Sequence, residues 1–293
     1  MFLTRLWFKE LMCAMMIVLI FCGLAYAIDM QELDAQIFAE EHAKELARVE
    51  TKNSIHPWEL ATEIYHFSYR EPDVMRENGM MYGLTGSYAY HKDLMLKAEG
   101  RGSIGRVDYK NSGTMDNIRD YSFEFRGLGG YDFPVLEKVV LTPYFGVGYR
   151  YLNDDSSGKI TSTGAGGYER ASNYIYSPVG IEGVIGIKDD WTFGAKAEYD
   201  IFWWGRQISN LSDANSRYSD LKNTQRSGYG LRGSVKLQKN GEVFDLMIEP
   251  FVRYWNIAKS NDSDVVYSGA IVDYGYEPKN NTTEYGVKVG AKF

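Results

Sequence analysis

Cysteine is nearly absent from this sequence. Its two cysteines, Cys13 and Cys22, both lie within the first 27 of 293 positions. A chain that sheds this segment has no thiol, which excludes a disulfide scaffold, a thiol enzyme and a thiolate metal site. Long apolar runs are also scarce. The stretch from Leu11 to Leu24 falls short of the roughly 20 residues a membrane-crossing helix needs, and no later stretch does better. A basic surface is missing too. The 32 lysines and arginines face 39 aspartates and glutamates, for a net charge of −7, so no basic stripe invites nucleic acid.

The opening segment reads as an export signal. Arg5 and Lys9 precede the apolar stretch, and Ala25-Tyr26-Ala27 follows it as a small-x-small cleavage site. This is the pattern of a secretory signal peptide over residues 1–27. Phe21 stands before Cys22, where a lipoprotein signal needs a small residue. Residues 28–57 carry no strand pattern. Leu33, Ile37 and Leu46 predict a weakly amphipathic periplasmic helix, with acids early and Lys44 and Arg48 late, as the helix dipole favours. His42 reads there as a solvated helix residue, not a metal ligand.

From position 58 onward the chain alternates. It is rich in Tyr, Phe, Trp and Gly, with 23, 14, 6 and 30 copies, and period-2 patterning predicts ten strands. Tyr82, Leu84, Tyr88 and Tyr90 oppose Gly83, Thr85, Ser87 and Ala89. Trp191, Phe193, Ala195, Ala197, Tyr199 and Ile201 oppose Lys196, Glu198 and Asp200. A soluble sandwich also alternates. Two features favour a membrane barrel. The runs reach ten residues or more, where globular strands average about five or six and a tilted membrane-crossing strand needs about 9–11. Aromatics also gather at strand ends, at Tyr88/Tyr90, Tyr149/Tyr151, Trp191 and Trp203, as in the girdles of such barrels. In lipid each backbone polar group needs a partner, so the sheet must close.

The connections agree. Short turns are predicted at His91–Asp93, Pro134–Lys138, Lys188–Asp190 and Lys239–Gly241, the last with a hairpin-type Asn-Gly. They alternate with long polar segments near 71–79, 108–119, 153–172, 206–227 and 258–280. Short turns on one side and long loops on the other characterise outer-membrane barrels. The expected fold is therefore an all-β, antiparallel, up-and-down transmembrane barrel over residues 58–293, with about ten strands and eight or twelve as alternatives. An even number places both termini in the periplasm. Pro143, Pro178 and Pro250 fall within predicted strands and are expected at bulges or near the membrane interface. The facing of the first strand stays open between Glu63/Tyr65 and Ile64/His66.

The final strand carries a resemblance. Tyr285, Val287, Val289 and the terminal Phe293 alternate with Glu284, Gly286, Lys288 and Lys292. Together with Leu141-Thr142-Pro143-Tyr144-Phe145-Gly146-Val147-Gly148-Tyr149, this resembles the small outer-membrane β-barrel proteins of Gram-negative bacteria. The resemblance implies an outer-membrane location among lipids and lipopolysaccharide. It also implies that Tyr285, Val287, Val289 and Phe293 form the signal read by the barrel-assembly machinery. It says little about activity, because one barrel type hosts many functions.

Three functional readings follow. In the first, the barrel is non-enzymatic, structural or surface-binding. Its lumen is filled by Lys97, Glu99, Arg101, Glu124, Arg126, Glu182, Lys196, Glu198, Arg232, Glu249, Arg253, Glu284 and Lys288, with Arg150, Asp200, Lys236 and Asp245 on the same face. The signs nearly balance, which suggests a salt-bridge network and not a one-sign selectivity ring. Ten strands lie between a lumen filled by side chains and an open channel, so a narrow small-solute porin is the alternative. In the second, the protein is an enzyme. Ten strands is the number of the omptin proteases, and Asp262-Ser263-Asp264 supplies an acid pair, but no Asp-x-His occurs. His66-Phe67-Ser68 resembles the His-x-Ser of outer-membrane lipid A deacylases. His66 and Ser68 are the catalytic candidates, with no identifiable carboxylate to orient the histidine. In the third, the long outer loops bind a surface ligand. Asn153-Asp154-Asp155-Ser156-Ser157-Gly158 offers oxygen ligands without the spacing of a calcium loop. No metal or cofactor is expected.

Overall fold

The computed structural model describes residues 56–136, 138–188 and 190–293. The expected signal peptide (1–27) and nearly all of the expected helical segment (28–57) lie outside them. His56 and Pro57 are non-helical and lead directly into the first strand.

Ten antiparallel strands close into a barrel. In chain order they are β1 (Trp58–Glu71), β2 (Met75–Lys92), β3 (Leu94–Asn111), β4 (Gly113–Tyr131), β6 (Val139–Asp155), β7 (Glu169–Gly186), β8 (Trp191–Ser209), β10 (Gly228–Lys239), β11 (Asp245–Ile257) and β14 (Asn280–Lys292). Four short strands sit outside the ring of ten: β5 (Phe133–Leu136) at the lower rim, β9 (Leu221–Gln225) on β8, and the hairpin of β12 (Ser263–Tyr267) with β13 (Ala270–Gly275). A single helical turn, α1 (Leu211–Ala214), lies in the loop after β8. Each barrel strand pairs with its neighbour in sequence, and β14 returns to β1. At the seam Trp58 and Phe293 exchange backbone hydrogen bonds of 3.0 and 2.9 Å.

The two faces of the wall differ as alternation requires. Outward side chains include Leu60, Ile64, Leu84, Ile104, Phe125, Phe145, Val147, Leu231, Ile248 and Val289, all exposed. Such a continuous apolar belt is unstable in water and matches the lipid-facing band of a membrane barrel. The inward face carries the charges. For β1 the open choice resolves to Glu59, Glu63 and Tyr65 inside, with Ile64 and His66 outside.

Two expected outer loops are strands instead. The segments at 71–79 and 108–119 continue the ladders of β1–β2 and β3–β4, leaving turns at 72–74 and at Ser112. Above the bilayer both wall faces meet polar surroundings. The apolar/polar alternation that marks a strand in sequence therefore vanishes at Arg76, Asn78, Asp108 and Lys110, although the backbone bonding continues. The turn after β10 is also wider than an Asn-Gly pair. It runs from residue 240 to 244, and Gly241 donates its N–H to Asp245 Oδ1 at 3.0 Å.

The prolines stand where the ladders lapse. Pro143 falls at the break between the β4 and β5 pairings of β6. The β6–β7 pairing skips residues 177–178, next to an irregularity at Ile175/Tyr176 where Trp203 of β8 is extra. The β10–β11 pairing skips residues 249–250. In each case a missing N–H coincides with an unpaired stretch of ladder.

Candidate functional site: the charge-filled lumen

Alternation delivers the charged side chains to the lumen from every wall, and they assemble in tiers. Nearest the short turns, Glu59 accepts from Lys236 at 3.3 Å and Lys288 at 3.2 Å, and Lys288 lies 2.7 Å from Glu249. Lys97 pairs with Glu99 at 2.7 Å. Arg126 joins Glu99 to Glu198, which also accepts from the Tyr144 hydroxyl at 2.8 Å.

The central tier is denser. Glu284 accepts from Arg101 and Arg150, both at 2.8 Å, and from Arg253 at 3.1 Å. Arg253 also donates to Glu63 at 2.7 Å. Arg232 reaches Asp200 at 2.7 Å and Glu124 at 2.9 Å. The Tyr176 hydroxyl donates to Glu124 at 2.6 Å. Glu63, Glu124, Arg150, Asp200 and Glu284 are all buried. A buried charge needs a partner to be tolerable, and the mixed-sign lumen supplies one on nearly every side.

Aromatic rings lie against these guanidinium groups. Arg253 stacks 3.9 Å from the Phe251 ring centre, Arg150 lies 5.3 Å from Trp255, and Arg232 lies 5.4 Å from Tyr176, within cation–π range. Above them an apolar cluster of Tyr65, Phe67, Met81, Val107, Tyr174, Phe202 and Trp255 crosses the lumen. Two glycines make room for these rings. A Cβ on Gly148 would meet Tyr176 Cζ at 2.3 Å, and one on Gly180 would meet the Tyr144 hydroxyl at 2.5 Å. Small cavities remain among the described residues. One cavity of about 80 Å³ lies amid the ionic tiers, and another of about 70 Å³ lies at the lower mouth beside His91, Lys97 and Lys292. Each has room for a few waters. At that mouth His91 Nδ1 and Asp132 lie 2.8 Å apart, and Thr142 donates to Asp132 at 2.6 Å.

The upper rim is acidic. Arg170 is held by Glu71 and Glu277, and the Tyr69 hydroxyl lies within hydrogen-bond distance of both carboxylates, with one proton to donate between them. Burial pushes the Glu277 carboxyl up from its ordinary pKa, against the pull of Arg170. Burial pushes Glu77 well up, and the adjacent Asp154 carboxyl adds to the rise. These groups lie above the apolar belt, which ends at Met80 on β2.

All thirteen lumen residues singled out in the sequence face inward. Eleven of them join ion pairs. Glu182 and Lys196 are register partners between β7 and β8 but form no salt bridge among the described residues. Glu63 and Tyr65, one of the two open choices for β1, join the network, and so do Glu59, Tyr144 and Tyr176, which the sequence did not single out. The run Trp58, Leu60, Ile64 on the opposite parity could have shown that the β1 acids face inward. Tyr285, Val287, Val289 and Phe293 all lie on the lipid side of β14 or at its end. His66 and Ser68 share the outward parity of β1, where His66 is half-buried and Ser68 is buried. His66 stacks on Tyr285 with ring centres 5.1 Å apart, and its Nδ1 has no hydrogen-bond partner. Asp262 pairs with Lys259 at 3.1 Å, and Ser263 opens β12.

No protein-family model and no curated protein sequence matches the chain. Solved structures do. The outer membrane protease OmpT from Escherichia coli superposes with a TM-score of 0.53 at 9% identity, covering 80% of this chain and 95% of OmpT. This chain has the fold of an outer-membrane β-barrel. The Neisserial surface protein A matches at TM-score 0.36 and 11% identity, over 81% of this chain and 97% of its own. The translocator domain of the autotransporter NalP from Neisseria meningitidis matches at 0.36 and 12%, over 89% and 97%.

Proposed function

We propose that this protein is a sealed, non-enzymatic barrel of the bacterial outer membrane, with both termini periplasmic, that acts through its outer surface and loops. The observation that carries this reading is the central tier around Glu284. Three guanidinium groups converge on one carboxylate, and the apolar cluster closes the lumen above them. An ion entering here would have to break paired, desolvated charges and then cross a dry layer, each costing several kcal/mol. A conducting filter needs sites weak enough to leave. Both terminal strands begin or end on the side of the short turns, which supports the periplasmic placement. The alternating outward residues of β14, Tyr285, Val287, Val289 and the adjoining Phe293, suit recognition by the barrel-assembly machinery. The segments at 156–168 and 210–220, with the β12–β13 hairpin, supply surface for a ligand.

Single-channel recording of the refolded protein in a planar bilayer tests the reading. Inserted protein, verified by heat-modifiable migration on a gel, should give no discrete steps. Stable steps whose ion preference changes on Glu249→Gln or Arg253→Gln would overturn it in favour of a narrow porin.

A further inference from the structure

Lys196 and Glu182 are register partners, yet they face different cavities. Glu182 lines the one at the lower mouth, and Lys196 lines the one amid the ionic tiers. Lys196 is half-buried and has neither a hydrogen bond nor an ion pair among the described residues. An ammonium taken out of bulk water is costly without a counter-charge. The acids around it are already engaged. Six cationic and four acidic side chains line the cavity. Each of the four carboxylates lies between two cations. Glu59 and Glu249 both lie between Lys236 and Lys288. Glu99 lies between Lys97 and Arg126, and Glu124 between Arg101 and Arg232.

Donors, in contrast, are left over. Arg101 is buried, and its Nε approaches Glu124 only to 3.5 Å, without a hydrogen bond. Ser234 of β10 is the direct register partner of Lys196 on its other side, where inward neighbours lie about 5 Å apart. Ser234 and Ser87 also line the cavity, and their hydroxyls form no hydrogen bond among the described residues. An ammonium, a guanidinium N–H and two hydroxyls all have protons to donate. The cavity therefore calls for an acceptor that carries negative charge.

We propose that this cavity binds a single halide ion such as chloride, held by Lys196 with Arg101, Ser87 and Ser234. The volume of about 80 Å³ has room for a few waters, and a halide is close to a water molecule in size. A tetrahedral oxyanion is larger and would force the surrounding ion pairs apart. Glu59 and Ser87 line both this cavity and the one at the lower mouth. The ion therefore enters from the side of the short turns and stops beneath the apolar cluster. The inference is independent of whether the lumen conducts.

The test follows stability against chloride at constant ionic strength, with sodium gluconate making up the balance. Four proteins are refolded in each mixture and unfolded in urea: wild type, Lys196→Met, Ser234→Ala and a control, Lys110→Met, at an exposed cation near the upper rim. A ligand held only by the folded state raises the folding equilibrium constant in proportion to its concentration once the site fills. In that range wild type and control should gain about tenfold in this constant for each tenfold rise in chloride. Bromide should act alike, and sulfate at the same ionic strength should have no effect. In Lys196→Met the chloride dependence should vanish, whatever the variant's own stability. In Ser234→Ala it should begin at higher chloride. Crystals grown in bromide should give one anomalous peak beside Lys196. A wild type indifferent to chloride, an equal response to sulfate, or an unchanged response in Lys196→Met would overturn the proposal.

Discussion

Arg150 donates to Glu284 at 2.8 Å across the lumen, from strands that are not neighbours in the barrel, and both side chains are almost completely buried. The same carboxylate holds Arg101 and Arg253. Removing one member of a buried ionic set leaves the others unpaired at a cost of about 3–5 kcal/mol. Glu284→Gln should therefore destabilise the barrel by about 3 kcal/mol or more. Glu182→Gln, at a half-buried site with lysines nearby but no direct ion pair among the described residues, should cost clearly less than Glu284→Gln. Urea unfolding in detergent micelles, followed by tryptophan fluorescence, separates the two.

Gly148 is a packing position. Its missing Cβ is the space in which the Tyr176 ring sits, and Tyr176 binds Glu124 and Arg232. Gly148→Ala should cost about 1–3 kcal/mol through overpacking. Pairing it with Tyr176→Leu should recover part of that loss, because the ring that clashes is gone. The same urea titration, run as a double-mutant cycle, measures the coupling.

These residues also show where sequence was informative. Within the bilayer two solvents, lipid and lumen, impose opposite demands on successive residues. Lys196, Glu198 and Asp200 against Ala195, Ala197 and Tyr199 could therefore be assigned to faces without a structure, and so could most of the charge network. Above the bilayer both faces are wet, the contrast is lost, and β1–β4 run on through segments that looked like loops. Pairing partners were not legible either. That Glu284 meets Arg101, Arg150 and Arg253 depends on the stagger and curvature of the closed wall, and no short-range pattern encodes it. His66-Phe67-Ser68 has the right spacing for one face, but that face looks onto Tyr285.

A sealed lumen makes a prediction about access. Ser103 lies between Tyr65 and Ser122 in hydrogen bonds of 2.6 and 2.8 Å, whereas Ser87 lines both open cavities. With Cys13 and Cys22 replaced by serine, Ser87→Cys in oriented vesicles should react with a membrane-impermeant maleimide added on the side of the short turns. Ser103→Cys should resist the reagent from either side until the barrel is unfolded.

The rim predicts a pH response. Burial, with Asp154 alongside, holds the Glu77 carboxyl protonated above its ordinary range. The unfolded chain releases that proton near pH 4.3. Between the two values the folded state binds more protons, so stability falls as pH rises. The contribution is complete below about pH 4 and is lost as pH climbs through the raised value. Glu77→Gln removes that one titration and leaves those of Asp154 and Asp120 beside it. Between about pH 5 and pH 8 its melting temperature should fall less than that of wild type, and at about pH 8 the variant should melt higher.

The mutual hydrogen bonds of Trp58 and Phe293 have a temporal meaning. β1 is among the first parts of the barrel to be synthesised, yet one of its two edges stays bare until β14 exists. A partial barrel would expose that edge to any other unpaired strand, and closing so long a loop makes folding slow. The chain must therefore be kept from membrane and from its own kind through the whole interval between its first strand and its last. For such a protein, escort during transit is as much a condition of the fold as the sequence itself.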